Sequence, residues 1–178
     1  MKTEFEAKYL NINKQELRTS LKEKGYTRVH PERMMRRVTM DIDSKNPFTR
    51  YCRVRDEGNQ VTLTYKQVEN TQSIDGVKEI EVVVDNFENT LSLIEQLCSG
   101  HISYQENLRE EWVKHDVHIS LDTWPGLPTF CEIEGCSKEK VHTSSLELGF
   151  NLSDAIFGTV IEVYEAHNIL TLEEIKNL

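Results

Sequence analysis

Apolar and polar residues alternate along most of this chain, beginning with Glu4-Phe5-Glu6-Ala7-Lys8. A β-strand turns successive side chains to opposite faces, so Glu4, Glu6 and Lys8 share one face while Phe5 and Ala7 share the other. The same period of two returns in seven later segments. Residues 33–43 set Val38, Met40 and Ile42 against Arg37, Thr39, Asp41 and Asp43. Residues 50–56 put Arg53 and Arg55 on one face, and 61–68 align Thr62, Thr64 and Lys66. In 77–85, Glu79 and Glu81 oppose Ile80 and Val82. The polar sets of 103–113, 117–122 and 129–135 are Asn107, Arg109 and Glu111; His118, Ser120 and Asp122; and Glu132 with Glu134.

Between these strands the punctuation is that of turns and helices. Residues 44–47 and Glu57-Gly58-Asn59 are turn signals, residues 69–76 read as a loop, and residues 124–128 join the last two strands. Asn13 predicts the cap of a helix to about residue 24, with Leu17 and Leu21 at helical spacing and Gly25 as its stop. A second helix is expected over 86–98, carrying Phe87, Leu91, Ile94 and Leu97. From Ser137 onward the pattern is helical, with one segment ending near Gly149, another over 154–166, and a short tail.

Eight strands of this kind imply one antiparallel sheet with an apolar and a charged face, and helices to cover the apolar one. The charged face is unusual because it carries same-sign pairs: Glu4/Glu6, Arg53/Arg55, Glu79/Glu81 and Glu132/Glu134. Like charges at neighbouring positions repel, so such pairs are costly unless counter-charges meet them. Closing the sheet into a barrel brings acidic and basic pairs together around a polar lumen.

Composition narrows the chemistry. The 178 residues make one domain, 1–178, with strands over 1–135 and helices over 137–178; 38% apolar and 29% charged residues describe a globular chain able to bury a core. No apolar run approaches a membrane span, and charged residues fill the opening positions where a signal peptide would be apolar, so a cytoplasmic protein without membrane contact is expected. Cys52, Cys98, Cys131 and Cys136 form no CxxC pair and read as free thiols. His115 and His118 fall on opposite faces of a strand, which argues against zinc. A net charge of −9 argues against a nucleic-acid partner. Yet residues 28–66 hold nine Lys or Arg against five Asp or Glu, a local excess of +4 that suits a small anion. Carboxylate clusters without His or Cys suit Mg²⁺ or Mn²⁺, and arginine forks suit phosphate oxygens. A metal-bound polyphosphate fits both, and so does a purely structural network of internal salt bridges.

The motifs, taken in order, resemble the CYTH domain of the triphosphate tunnel metalloenzyme superfamily, which includes class IV adenylate cyclases, thiamine triphosphatases and inorganic tripolyphosphatases. Glu4-Phe5-Glu6-Ala7-Lys8 is similar to its ExExK signature, Arg53-Val54-Arg55 to its RxR strand, and Thr62-Leu63-Thr64-Tyr65-Lys66 to the strand ending in a phosphate-binding lysine. Lys78-Glu79-Ile80-Glu81 is similar to its mid-chain ExE. Arg109 falls at its later basic strand, and Leu121-Asp122 with Cys131-Glu132-Ile133-Glu134 at its acidic closing strands. The resemblance implies an α+β protein built on a closed eight-stranded antiparallel β-barrel flanked by helices. It implies Glu4, Glu6, Glu132 and Glu134, with Asp122, as holders of Mg²⁺ or Mn²⁺. Lys8, Arg53, Arg55, Lys66 and Arg109 would grip a triphosphate, and Lys8, Arg55, Glu79 and Glu81 would serve the chemistry. Asn107 departs from the family, whose members often have a second basic residue there. Arg37 and His118 are expected to line the lumen. The substrate class is a nucleotide, thiamine triphosphate or tripolyphosphate, with Tyr51, Trp112 and Trp124 as aromatics for an organic end. Hydrolysis of the terminal phosphate is the expected reaction. Cyclisation of ATP and non-catalytic polyphosphate binding are the alternatives. Exposed sheet residues leave room for a homodimer.

Overall fold

A computed structural model describes residues 1–42, 44–46 and 48–168. The chain runs β1 (Lys2–Tyr9), α1 (Lys14–Glu23), β2 (Thr27–Asp41), β3 (Arg50–Asp56), β4 (Val61–Val68), β5 (Val77–Val84), α2 (Phe87–Glu95), β6 (Ile102–Lys114), β7 (Val117–Thr123), β8 (Phe130–Gly135), α3 (Lys138–Glu147) and α4 (Val160–Ala166). The strands close into a barrel in the order β1-β5-β4-β3-β2-β6-β7-β8, every neighbour antiparallel. This is the closed eight-stranded barrel that the family resemblance implied, built from the eight strands that the alternation marked.

Three elements differ from their sequence reading. β2 begins at Thr27 rather than residue 33, because register shifts on either side of His30 let the strand pass Pro31 and pair with β6 beyond it. Proline has no N–H to give a ladder, so a strand carries it at such an irregularity. α2 ends at Glu95, which leaves Leu97 outside the helix and 69% exposed. The expected helix over 154–166 is a 3-10 turn at Leu152–Asp154 followed by α4 only from Val160. Between them Ile156 is extended, its N–H and C=O both paired with Lys8 at 2.9 Å. Gly158 then turns the chain at φ 85°, and Thr159 restarts the helix through a reciprocal cap with Glu162. Asp43 and Pro47, from the expected strand end and turn, and the tail 169–178 lie outside the described residues.

Local chemistry explains the helices and what they cover. The Asn13 side chain accepts from the Gln15 and Glu16 amides, and Gly25 leaves α1 at φ 81°. Leu17 and Leu21 of α1, with Val141 of α3, pack on Ala7, Trp112, Ile119, Leu121 and Ile133 from the outer faces of β1, β6, β7 and β8. α2 sets Phe87 and Ile94 on Val38, Met40 and Val54 of β2 and β3. Val163 and Tyr164 of α4 close over Trp124, Leu127 and Phe130 at one barrel end. Among the described residues the outer face of β5 has no such cover: Ile80 and Val82 stay half exposed.

A fully buried carboxylate breaks the apolar parity of the outer face. Glu110 of β6 is fully buried under α1, where it accepts from Arg18 Nε and Nη2 at 3.1 and 2.5 Å and from the Trp112 indole at 2.8 Å. Burial disfavours its charge, but those hydrogen bonds outweigh it and hold the carboxyl below its ordinary 4.5. Truncation of Arg18 leaves this carboxylate buried with one donor. Arg18→Ala is therefore expected to cost about 2–3 kcal/mol in denaturant unfolding at pH 7. A carboxyl with a depressed folded-state pKa stabilises above its unfolded value and loses that stabilisation as pH falls through the folded one. The gap between parent and variant accordingly narrows as unfolding is repeated below pH 4.5.

A charged tunnel as candidate active site

Alternation turns one side chain in two toward the barrel axis, and the inward set is almost wholly polar. Glu4, Glu6, Lys8, Arg37, Thr39, Arg53, Arg55, Lys66, Glu79, Glu81, Arg109, Asp122 and Glu132 line a cavity of about 470 Å³. One mouth is rimmed by Lys2, His118 and Glu134. The other is flanked by Phe48, Tyr51, His101, Tyr104 and Trp124, with the Gly158–Ile161 stretch ahead of and into α4.

The acidic wall is built by β1, β5 and β8. Lys66 donates to both oxygens of Glu4 at 2.7 Å and lies 3.6 Å from Glu79. Lys8 donates to Glu6 and to the Gly158 carbonyl at 2.6 Å each, and stands 3.5 Å from Glu132. Glu132 also meets Arg109 at 3.2 Å. Burial drives the Glu6 carboxyl up to about 7; Lys8 opposes the rise, and Glu132 and Glu4 add to it. Glu79 is likewise lifted to about 7, by burial and by its hydrogen bond with Glu4, against the pull of Lys66. Glu132 goes the other way, because Lys8 and Arg109 overcome its desolvation. Three neighbouring carboxylates thus divide into groups that hold and shed their charge.

The basic wall comes from β2, β3 and β6. Arg53 contacts Thr64 at 3.2 Å and Glu81 at 3.4 Å, and Thr64 donates to Glu81 at 2.7 Å. Arg55 pairs with Glu57 at 2.5 Å and lies 3.8 Å from Glu81. Arg109 grips Asp122 through two bonds of 2.8 and 2.5 Å. Arg37 donates to Asn107 and lies over the Trp124 ring at 4.7 Å, with no carboxylate in ion-pair contact among the described residues. Burial, then Arg53, Arg55 and Arg109, push its pKa well below the usual guanidinium range; the same forces bring Arg55 down to about 10. Among the described residues the Nε groups of Arg37, Arg53 and Arg55 are buried without an acceptor. Unpaired donors of this kind are costly until an anion reaches them.

The charged residues proposed from sequence lie in or at this lumen, but not in one cluster; Trp112, expected as an aromatic for an organic end, instead packs on the outer face beneath α1. Glu4, Glu6, Glu79 and Glu132 adjoin one another. Asp122 is spent on Arg109 and on Asn107, whose side-chain amide donates to it at 3.0 Å. Glu134 stands apart at the rim, paired with Lys2 at 3.2 Å. His118 also sits at the rim, and Glu111 at 2.9 Å raises its pKa. Asn107 explains its own departure: a basic side chain is missing on β6, and Arg37 reaches across from β2 to occupy that neighbourhood. Its place on the polar parity of β2 was the signal for Arg37. The Gly158 carbonyl gave none, because it is a backbone atom brought in by the chain's return.

The donor set suits Mg²⁺ or Mn²⁺, since adjoining strands offer hard carboxylate oxygens and no soft ligand. Among the described residues these groups do not stand as a ready-made cluster of three ligands. The ammonium groups of Lys8 and Lys66 hold the positions between them.

The chain belongs to the CYTH family, whose domain matches residues 2–148. A Methanocaldococcus jannaschii protein provisionally named an adenylate cyclase is 26% identical over 117 residues, 66% of this chain. The match spans 61% of that relative's own length. A solved Pyrococcus horikoshii protein superposes with a TM-score of 0.73 at 19% identity, covering 89% of this chain and 98% of its own. A Vibrio parahaemolyticus structure, also provisionally named an adenylate cyclase, gives 0.75 at 13% identity, covering 92% and 98%. Both structures share the fold.

A guanidinium buried among three others destabilises the empty barrel. Arg37→Met keeps bulk over Trp124 and removes that repulsion. The variant is expected to gain about 1 kcal/mol in ligand-free unfolding and to melt a few degrees higher. A lower melting temperature than the parent's would show that the Asn107 and Trp124 contacts outweigh the repulsion.

Proposed function

We propose that this tunnel is a divalent-metal-dependent triphosphatase site that hydrolyses the terminal phosphate of an organic or inorganic triphosphate. The observation that carries the reading is the set of acceptorless Nε donors on Arg37, Arg53 and Arg55, facing a wall of closely spaced carboxylates across one lumen. Phosphate oxygens supply the missing acceptors, in the planar geometry that a guanidinium fork matches. Lys66, Lys8 and Arg109 extend the cationic ring along the chain of phosphates. Glu4, Glu6 and Glu132, with Asp122 and Glu134 further out, would hold Mg²⁺ or Mn²⁺, which supplies charge neutralisation on the phosphate oxygens.

Phosphoryl transfer asks the protein mainly for alignment and for charge where charge develops. Arg53 and Arg55 fix the equatorial oxygens, and Glu81 positions both through its own contacts and Thr64. Glu79 suits the base: lifted to about 7, it takes a proton from water near neutral pH. Water attacks the terminal phosphorus, the bridging P–O bond breaks, and the cationic ring receives the charge left on the departing diphosphate. Glu79→Gln is expected to lower hydrolysis by about 10²–10⁴-fold while leaving tripolyphosphate affinity within a few-fold. Loss of affinity in step with rate would make Glu79 a binding residue.

A second reading, cyclisation of ATP, is favoured by one observation. Phe48, Tyr51, Tyr104 and His101 gather at a single mouth, where the organic end of a nucleotide would rest. There the ribose 3′-hydroxyl attacks the α-phosphorus and pyrophosphate leaves. Incubation of the protein with ATP and Mg²⁺ or Mn²⁺, followed by separation of products, divides the two. ADP with orthophosphate is expected, as is orthophosphate from tripolyphosphate. Cyclic AMP with equimolar pyrophosphate overturns hydrolysis in favour of cyclisation.

A further inference from the structure

Glu57 follows the last residue of β3 and continues the polar parity of Arg53 and Arg55. Arg55 lines the cavity, whereas Glu57 is buried and is not part of that lining. The two carboxylate oxygens of Glu57 have separate partners. The Gln60 side-chain amide donates to Oε2 at 3.2 Å, and Arg33 Nη2 lies 3.6 Å from the same oxygen. Oε1 meets Arg55 Nη2 at 2.5 Å. The backbone around it is pinned as well. The Glu57 N–H donates to the Gln60 carbonyl at 2.9 Å, and the Gly58 N–H donates to the Asp56 carboxylate at 2.8 Å. Arg33 is anchored in turn, donating to Asn59 at 2.8 Å. The carboxylate is thus fixed by the hairpin turn and by β2, and it presents one oxygen to Arg55.

We infer that Glu57 is a positioning residue, which holds Nη2 of Arg55 so that the acceptorless Nε is presented to an anion in the lumen. The inference rests on the anion-binding reading of the tunnel. Arg55 has little else to hold it: Glu81 is 3.8 Å away, and Nε has no acceptor among the described residues. Burial and the charges of Arg53 and Arg109 disfavour its cation there, and Glu57 and Glu81 oppose them. Without Glu57 the long arginine stem is free to swing away from its like-charged neighbours. The sign of the effect separates positioning from simple charge. A carboxylate near an anion site repels the anion, so by Coulomb's law alone its removal tightens binding. Loss of positioning acts the other way, because a mobile guanidinium must be ordered again when a phosphate arrives. The second effect is the larger here, since Arg33 and Arg55 already meet the charge of Glu57.

Calorimetric titration with tripolyphosphate, without added metal, tests this on the whole chain by affinity alone. Glu57→Ala is expected to weaken binding by about tenfold, which corresponds to 1.4 kcal/mol. Glu57→Gln is expected to stay within a few-fold of the parent. Its amide oxygen still accepts from Arg55, and the Gln60 amide can turn its own oxygen toward the new N–H group. In an Arg55→Met background, Glu57→Ala should no longer weaken binding, because the group it positions is gone. A contribution of Glu57 to the hairpin alone would persist in that background. Glu57→Ala that binds as tightly as the parent, or more tightly, overturns the inference. So does a loss that survives in Arg55→Met, or a Glu57→Gln variant as weak as Arg55→Met, a comparison that stands even if the alanine variant does not fold. A parent that binds tripolyphosphate without cleaving it when Mg²⁺ is added overturns hydrolysis and leaves this inference intact. A parent that takes up no tripolyphosphate overturns the anion-binding reading and this inference together.

Discussion

An ionised side chain leaves water only if another charge or a set of hydrogen bonds replaces the water it loses, and this barrel meets that condition on one wall and not on the other. On the acidic side each carboxylate finds an ammonium or guanidinium: Glu4 takes Lys66, Glu6 takes Lys8, and Glu132 is shared by Lys8 and Arg109. On the basic side Arg37 has an amide and an indole ring, and several guanidinium nitrogens have no acceptor. The imbalance is local, because the chain as a whole is acidic. Closure of the sheet creates it by placing β2 and β3 opposite β1 and β8. A protein selected only for stability would replace some of these arginines by apolar residues of similar volume. The barrel's electrostatic deficit is therefore most simply understood as a preformed fit to an anion.

The alternation of side chains made the strands and their faces legible before any coordinates, since a period of two states directly which residues share a face; closure into a barrel came from the family resemblance. The ends of β3 and β4 and the cap at Asn13 follow from equally local rules, and each lies where those rules put it. What was not legible depended on partners distant in sequence. Ile156 and Gly158 fall in a stretch with helical periodicity. They are extended and turned because Lys8 of β1 claims their backbone, across 150 residues of chain in the case of Gly158. Glu110 is a charged residue at an outward position that the alternation gives no reason to bury, yet α1 covers it and Arg18 satisfies it. The alternation marked a strand only from residue 33, and β6 carries the ladder back past Pro31 to Thr27.

The candidate site divides along the same line. That Glu4, Glu6, Lys8, Arg53, Arg55, Lys66, Glu79, Glu81 and Glu132 face one lumen follows from parity once the barrel is closed. Which carboxylate keeps its proton does not follow from parity. Glu79 and Glu132 occupy equivalent positions in similar sequence contexts and are pushed in opposite directions. Glu132 lies between two cations, whereas Glu79 shares Lys66 with Glu4. The place of Arg37 beside Asn107 is a fact of register between β2 and β6, and a missing charge on one strand is met from its neighbour.

The strand order places β1 between β5 and β8, so the first residues of the chain are held by segments more than 70 and more than 120 positions away. Such pairings close slowly, because a long loop must be ordered before any contact forms. As the chain emerges, the Glu4-Glu6-Lys8 strand stays unpaired on its β8 side until Gly135 has been made. The tunnel cannot close before then, since Lys8 and Glu132 meet across the final seam. Closure of the lumen thus waits on β8, and a chain interrupted before residue 130 carries β1 without the strand that completes its acidic wall.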